Sequence, residues 1–335
     1  MPLNVAINGF GRIGRLVLRA MAESGRTDLR VVGINDLASA DANAHLLKYD
    51  SVHGRFPLNV TVQGDIMDVG QGPIKVTAER DPSKLPWRDL GVDIALECTG
   101  AFTKREKAAL HLDAGATRVL ISAPSPDADL TVVYGVNHNK LKPEYRVISN
   151  GSCTTNCLAP VAKVLNDLAG IEHGYMTTVH SYTNDQHTVD NVHKDPRRAR
   201  AAAVSMIPTS TGAAKAIGLV LPELNGKLDG MAVRVPTPNV SMIDLKVVTR
   251  RPVTKEEINN AMTEASKTWL KGIMDVIDVE LVSIDFNHTA VSSTFDLTQT
   301  KVIDGNFVRV LAWYDNEWGF SNRMSDTAAA IAKMG

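Results

Sequence analysis

The chain has 335 residues, which at roughly 100–200 residues per domain points to two domains. Hydrophobic residues make up 44% and charged residues 22%, so the apolar content suffices to offset ordering entropy and a disordered or collagen-like chain is excluded. Lys and Arg total 36 and Asp and Glu total 37, for a net charge of -1, and no global field draws such a protein to nucleic acid or an anionic membrane.

From the N-terminus, residues 5–7 read as a strand. A helix is expected over 12–24, with Ile13, Leu16, Val17 and Ala20 at three-to-four spacing. Strands at 29–34, 94–96, 119–121 and 147–148, with a helix over 104–114, continue the alternation. That predicts an α/β fold with a mainly parallel sheet. The pattern then changes. A helix beginning near Cys153 continues through the apolar periodic stretch 158–168, and 175–182 reads as a strand. Further strands are expected at 231–235 and 241–249, the latter alternating apolar and polar residues. A helix over 254–271 opens with Thr254 and Glu257 in capping-box spacing. Strands at 281–286, 290–295 and 307–314 complete a second, α+β domain with a mainly antiparallel sheet, and 321–333 is helical.

No run of about 18 apolar residues occurs, so no transmembrane helix is expected. The beginning of the chain reads without a secretion signal. Three cysteines, Cys98, Cys153 and Cys157, argue against a disulfide framework and fit reduced thiols in a cytoplasm. The nine histidines are scattered, and no metal site is expected.

Two constellations carry chemistry. Gly9, Gly11 and Gly14 form G-x-G-x-x-G between a strand and an amphipathic helix. The first glycine permits the tight turn, the second lets backbone approach a pyrophosphate, and the third lets helix and strand pack closely. Asp36 follows the second strand, where a carboxylate accepts from ribose hydroxyls and repels a 2′-phosphate, which favours NAD over NADP. The second constellation is Ser149-Asn150-Gly151-Ser152-Cys153-Thr154-Thr155-Asn156-Cys157. It places Cys153 at a helix start, where N–H groups stabilise a thiolate and a developing oxyanion. Cys157, one turn on, reads as a packed residue. His180, at a strand end, is a candidate base, although spacing alone does not bring it to Cys153.

The segments 7–15, 152–160, 180–186, 210–215, 234–238 and 313–319 together resemble the phosphorylating glyceraldehyde-3-phosphate dehydrogenase family over essentially the whole length. The resemblance implies a Rossmann domain over 1–151, completed by a C-terminal helix at 317–335, and a catalytic domain over 152–316. It implies a cytoplasmic homotetramer that oxidises glyceraldehyde 3-phosphate with NAD and inorganic phosphate through a hemithioacetal and thioester on Cys153, with His180 as base. It assigns Gly9, Gly11, Arg12, Ile13, Asp36, Arg80, Thr99, Ser122 and Asn316 to the cofactor. It assigns Thr183, Arg198 and Arg234 to one phosphate, and Ser152, Thr154, Thr211 and Gly212 to the other. The basic run 193–200, which alone suggests a nucleic-acid patch, then reads as phosphate contact and subunit packing. Gly151 stands where many members carry Ala, a change expected to loosen the turn before Cys153. The rival readings are an erythrose-4-phosphate dehydrogenase and a thiol redox sensor on the same fold.

Overall fold

The computed structural model describes residues 2–333. They divide into two units: one ends at Ser152 and resumes at Ser321, and the other is Cys153–Phe320.

The first unit is built on a sheet whose spatial order is Leu130–Thr131, Val147–Ser149, Arg118–Ile121, Ile94–Glu97, Leu3–Asn8, Leu29–Asn35, Pro73–Thr77, Ile66–Asp68 and Thr61–Gln63. The seven strands from Leu130–Thr131 to Pro73–Thr77 run parallel, and the last two pair antiparallel as an edge extension. Central strands of such a sheet are covered on both faces, which is why Val5, Ala6, Ile7, Ala95 and Leu96 form unbroken buried apolar runs. The strand order reverses direction between Leu3–Asn8 and Ile94–Glu97. Ligands of open α/β sheets bind at such a switch point, beyond the carboxyl ends of the strands.

The helix expected over 12–24 is Arg12–Glu23. The helix expected over 104–114 is interrupted, as Arg105–Ala108 and Leu110–Asp113. The N–H of Leu112 reaches the Ala109 carbonyl, an i→i+3 bond that tightens the chain there. The helix Ala40–Lys48, capped by Ser39, and the strand Pro73–Thr77 went unread in the sequence.

The second unit is a mixed sheet in the order Ile207–Ser210, Leu228–Val235, Ile171–Ser181, Ser241–Thr249, Phe307–Tyr314, Ser293–Asp296 and Met274–Ile277. Most pairings are antiparallel, as expected, but Ile171–Ser181 with Leu228–Val235 and Met274–Ile277 with Ser293–Asp296 are parallel. The first of these parallel pairings places His180 opposite Arg234. The capping box of the helix Lys255–Lys267 forms as read from the sequence, though the helix stops short of 271. The strand expected at 281–286 is instead a 3-10 turn, Ser283–Phe286. Asp285 accepts from the Val282 N–H at 2.9 Å, a local bond that competes with sheet pairing, and leaves Val282 and Ile284 exposed. The strand expected at 290–295 begins only at Ser293. The C-terminal helix is Trp318–Ala332. Among the described residues, no helix is long and apolar enough to cross a membrane.

Candidate active site

In the first unit the residues assigned to a dinucleotide gather at the carboxyl edge of the parallel sheet. Gly9 follows Leu3–Asn8, Asp36 follows Leu29–Asn35, Thr99 lies just past Ile94–Glu97, Ser122 follows Arg118–Ile121, and exposed Arg80 lies beyond Pro73–Thr77. The three glycines do separate work. Gly9 has φ +88°, and a Cβ there would lie 2.7 Å from the Thr99 backbone N. A Cβ on Gly14 would lie 2.1 Å from the Gly9 carbonyl oxygen, so only glycine lets the helix seat against the turn. Gly11 caps the helix with no side-chain bond, and a Cβ there would meet nothing within 4 Å. The first turn carries no acidic side chain, and no side chain caps its N–H groups. That cradle fits a pyrophosphate.

Asp36 is held across the loop by the N–H of Phe10 at 2.8 Å and of Ala38 at 3.0 Å. Arg12 is engaged elsewhere. Its guanidinium grips Asp50 through both terminal nitrogens, so its charge is already engaged. Burial pushes the Asp50 carboxyl up, but Arg12 and the N–H groups of His53 and Val52 outweigh it and hold it at about 2.

In the second unit Cys153 is the first residue of the helix Cys153–Ala169. Gly151, at φ +65°, turns the chain before it. Its N–H donates to Ser149 Oγ at 3.1 Å, so the turn is fixed rather than loosened, in a conformation that favours glycine over alanine. Cys153 Sγ lies 3.5 Å from His180 Nε2. His180 Nδ1 lies 2.7 Å from the Ser181 carbonyl and 2.8 Å from Arg234 Nη1, which itself donates to that carbonyl at 2.9 Å. In the tautomer that donates Nδ1–H to the Ser181 carbonyl, His180 turns an unprotonated Nε2 to the thiol.

The electrostatics follow from burial and one cation. Burial and then Arg234 push His180 down to about 3, so the imidazole is neutral. The sequence led us to expect a depressed thiol at the helix start. Burial instead pushes Cys153 up, and Arg234, Thr154 and the helix-start N–H groups pull it only partly back. The resting pair is thus thiol and imidazole. Cys157 is fully buried against Ser293 Oγ at 3.4 Å, and burial raises its thiol strongly.

Tyr314 underlies the pair and was not singled out in the sequence. Its hydroxyl lies 2.9 Å from both Thr154 Oγ1 and Thr178 Oγ1, and its ring meets His180 edge-on at 5.9 Å. The hydroxyl of Thr154 is therefore engaged inside the protein. Asn316 is equally fixed: its Oδ1 accepts from Ser181 Oγ at 2.9 Å and Ser241 Oγ at 2.8 Å, which leaves its NH2 to donate outward. Nothing in the spacing of Ser181 and Ser241 announces this clamp.

Arg234 and Arg198 form a cationic pair. Burial and the neighbouring Arg234 charge lower Arg198, and the buried Nε of Arg234 has no partner. Arg198 bonds Asp185 and donates to the Ser210 carbonyl at 3.2 Å, beside Thr211. Thr183 is folded onto Gln186, whose Oε1 accepts from the Thr183 N–H at 3.1 Å. Thr211 Oγ1 accepts from the Ala213 N–H at 3.2 Å, and Gly212 opens the helix Ala213–Val220 with no atom within 4 Å of its missing Cβ. Among the described residues, no group of three His, Cys, Asp or Glu is arranged to hold a metal.

Comparison with known proteins agrees across the chain. Residues 3–105 match the family model described as the glyceraldehyde 3-phosphate dehydrogenase NAD binding domain, and residues 152–316 match the C-terminal domain of the same family. The chain is 69% identical to the glyceraldehyde-3-phosphate dehydrogenase of Xanthobacter flavus and 63% identical to that of Cereibacter sphaeroides, each alignment covering all of both chains. It is 58% identical to the enzyme of that name from Geobacillus stearothermophilus, again over the full length of both.

Proposed function

The chain belongs to the glyceraldehyde-3-phosphate dehydrogenase family, and from that premise we propose how its residues carry the reaction. The protein is an NAD-dependent oxidoreductase that converts D-glyceraldehyde 3-phosphate and inorganic phosphate to 1,3-bisphosphoglycerate. One observation carries the residue assignment: Cys153 Sγ stands 3.5 Å from a neutral His180, with the Arg234 cation beside both.

Backbone N–H groups of Gly11, Arg12 and Ile13 hold the pyrophosphate over the Gly9 turn, Asp36 takes the ribose hydroxyls, and Arg80, Thr99 and Ser122 border the same edge. Asn316, its carbonyl occupied by two serines, offers its NH2 to the nicotinamide amide. When bound, NAD supplies the acceptor for the hydride lost by the substrate.

His180 Nε2 takes the proton from Cys153, and the thiolate attacks the aldehyde carbon. The new C–S bond leaves an oxyanion, which the N–H groups of the helix start stabilise until His180 returns the proton. As the hemithioacetal carbon loses hydride, His180 Nε2 takes the hydroxyl proton again and a thioester remains on Cys153. Inorganic phosphate attacks the thioester carbonyl, the C–S bond breaks, and the thiolate is recovered with release of the acyl phosphate. Arg198, Arg234 and Thr183 hold one phosphate, and Ser152, Thr154, Thr211 and Gly212 the other. Two guanidiniums and a helix start are suited to dianions. The unpartnered Arg234 Nε supports the first assignment.

We also propose a homotetramer in the cytoplasm. Val189, Val192, Val204 and Met206 are 70%, 93%, 81% and 76% exposed along one segment, an apolar surface suited to another copy of the chain. The cytoplasm keeps reduced the three cysteines, all of which are free. Light scattering giving four chain masses supports this, and a monomer refutes it.

The activity is tested by following NADH formation from glyceraldehyde 3-phosphate with and without inorganic phosphate, and with NADP in parallel. Phosphate-dependent turnover with NAD is expected. Turnover indifferent to phosphate would overturn the two-anion assignment, and turnover confined to erythrose 4-phosphate would overturn the substrate.

A further inference from the structure

Glu97 ends the strand Ile94–Glu97 and is 1% exposed, yet the chemistry above makes no use of it. Every group facing its carboxylate is a donor. Oε1 accepts from the Thr99 N–H at 2.8 Å and from the Thr99 hydroxyl. Oε2 accepts from Asn8 Nδ2 at 2.6 Å and from His111 Nε2 at 3.0 Å. Trp87 fixes the tautomer of His111. An indole N–H can only donate, and Trp87 Nε1 lies 3.0 Å from His111 Nδ1. The ring proton is therefore on Nε2, the imidazole is neutral, and its contact with Glu97 is a hydrogen bond rather than an ion pair. Four donors on an acceptor-only group make a fully satisfied buried network.

These donors stand at the roots of the loops assigned to the dinucleotide. Asn8 immediately precedes Gly9. Its Oδ1 accepts from Asn35 Nδ2 at 2.8 Å, and Asn35 immediately precedes Asp36. Asn35 in turn exchanges two 2.8 Å bonds with the backbone of Glu79, beside Arg80. Thr99 N, bonded to Glu97, is the atom that a Cβ on Gly9 would strike. One carboxylate thus ties together the segments that follow three adjacent parallel strands.

We propose that Glu97 is the positioning residue of the NAD site: through Asn8, Asn35 and Thr99 it holds the Gly9 turn, the Asp36 carboxylate and the Thr99 loop in one register. The inference rests on the NAD reading above. Preformed loops spare the cofactor the cost of ordering them, so the effect belongs in affinity rather than in chemistry.

Glu97→Gln tests it. The amide keeps the shape but turns its NH2 toward a pair of donors whichever way it rotates, so at least one loop loses its anchor. Calorimetric titration with NAD, and separately with ADP-ribose, is expected to show both dissociation constants rising about ten- to a hundredfold. At saturating NAD, kcat and the KM values for aldehyde and phosphate stay within about twofold. A folded Glu97→Gln protein that binds both ligands like the unaltered one overturns the proposal, even if its melting temperature falls. Should that variant not fold, Asn35→Ala decides: it leaves the carboxylate and its four donors in place but cuts the tie to Asp36. NAD binding about three- to tenfold weaker is expected, and unchanged affinity overturns the proposal. An unaltered protein that fails to bind NAD would instead overturn the reading on which the inference rests.

Discussion

Gly14 lies inside the helix Arg12–Glu23, where replacing glycine by alanine ordinarily stabilises by about 1 kcal/mol. Here the sign reverses. The new Cβ would lie 2.1 Å from the Gly9 carbonyl oxygen and 3.1 Å from Ile7 Cγ2, more than about 1 Å inside ordinary contact with rigid backbone. The helix must retreat from the turn, and overpacking of this kind costs about 1–3 kcal/mol or more. After the propensity gain, a net loss of up to about 2 kcal/mol remains, which lowers the melting temperature by at most about 4–8 °C at 2–4 °C per kcal/mol. NAD affinity falls with it, because the retreating helix start carries the phosphate-facing N–H groups away. Gly11→Ala is the matched control. Gly11 has φ -70°, which alanine tolerates, and its Cβ would meet no protein atom within 4 Å. Its melting temperature should stay within about 1 °C, while its methyl group projects into the space assigned to the pyrophosphate and weakens NAD binding. Differential scanning calorimetry and NAD titration on both variants separate the two roles. A Gly14→Ala protein that melts higher than the unaltered one refutes the packing argument. A Gly11→Ala protein that binds NAD normally refutes the placement of the pyrophosphate.

His180→Asn should lower kcat by about a hundred- to ten-thousandfold at constant fold, and a loss of less than tenfold in steady-state assays would remove His180 from proton transfer. Iodoacetamide should label Cys153 alone, as read by peptide mass spectrometry, because burial pushes Cys98 up to about 12 and Cys157 higher still. With the Cys153 thiol raised above its ordinary value, alkylation should accelerate with pH through neutrality, and a flat pH profile would show a preformed thiolate. Asp50, held at about 2 against 3.8 unfolded, contributes about 2 kcal/mol above pH 4 that disappears as pH falls through 2. Asp50→Asn should therefore lower the melting temperature at neutral pH and narrow the gap to the unaltered protein in acid. An equal gap at both would place the Asp50 contribution elsewhere.

Local signals were legible wherever one short segment contains its own cause. The glycine turn, the capping box at Thr254, the helix start at Cys153 and the acid after the second strand each depend on a few consecutive residues. Misreadings arose where a side chain competes with the backbone for its partners, or where burial decides. Residues 281–286 are apolar enough for a strand, but Asp285 closes a local turn and the apolar side chains stay exposed. The raised Cys153 thiol is the case that burial decides, since a helix start is visible in sequence while enclosure is not.

What sequence could not supply was adjacency across strands. Cys153 and His180 belong to a helix and a strand that only the fold brings within 3.5 Å, and Arg234 reaches them through a parallel pairing in an otherwise mainly antiparallel sheet. That pairing has a chemical consequence. In parallel register His180 and Arg234 share one face of neighbouring strands and one acceptor, the Ser181 carbonyl. The cation that, after burial, depresses His180 is therefore the same group that we propose receives a phosphate. A dianion on Arg234 would offset that charge and relieve the second of the two causes that depress His180, while burial, the larger one, remains. On that proposal, base strength and substrate occupancy are joined through a single side chain, and the joint depends on strand register rather than on any motif.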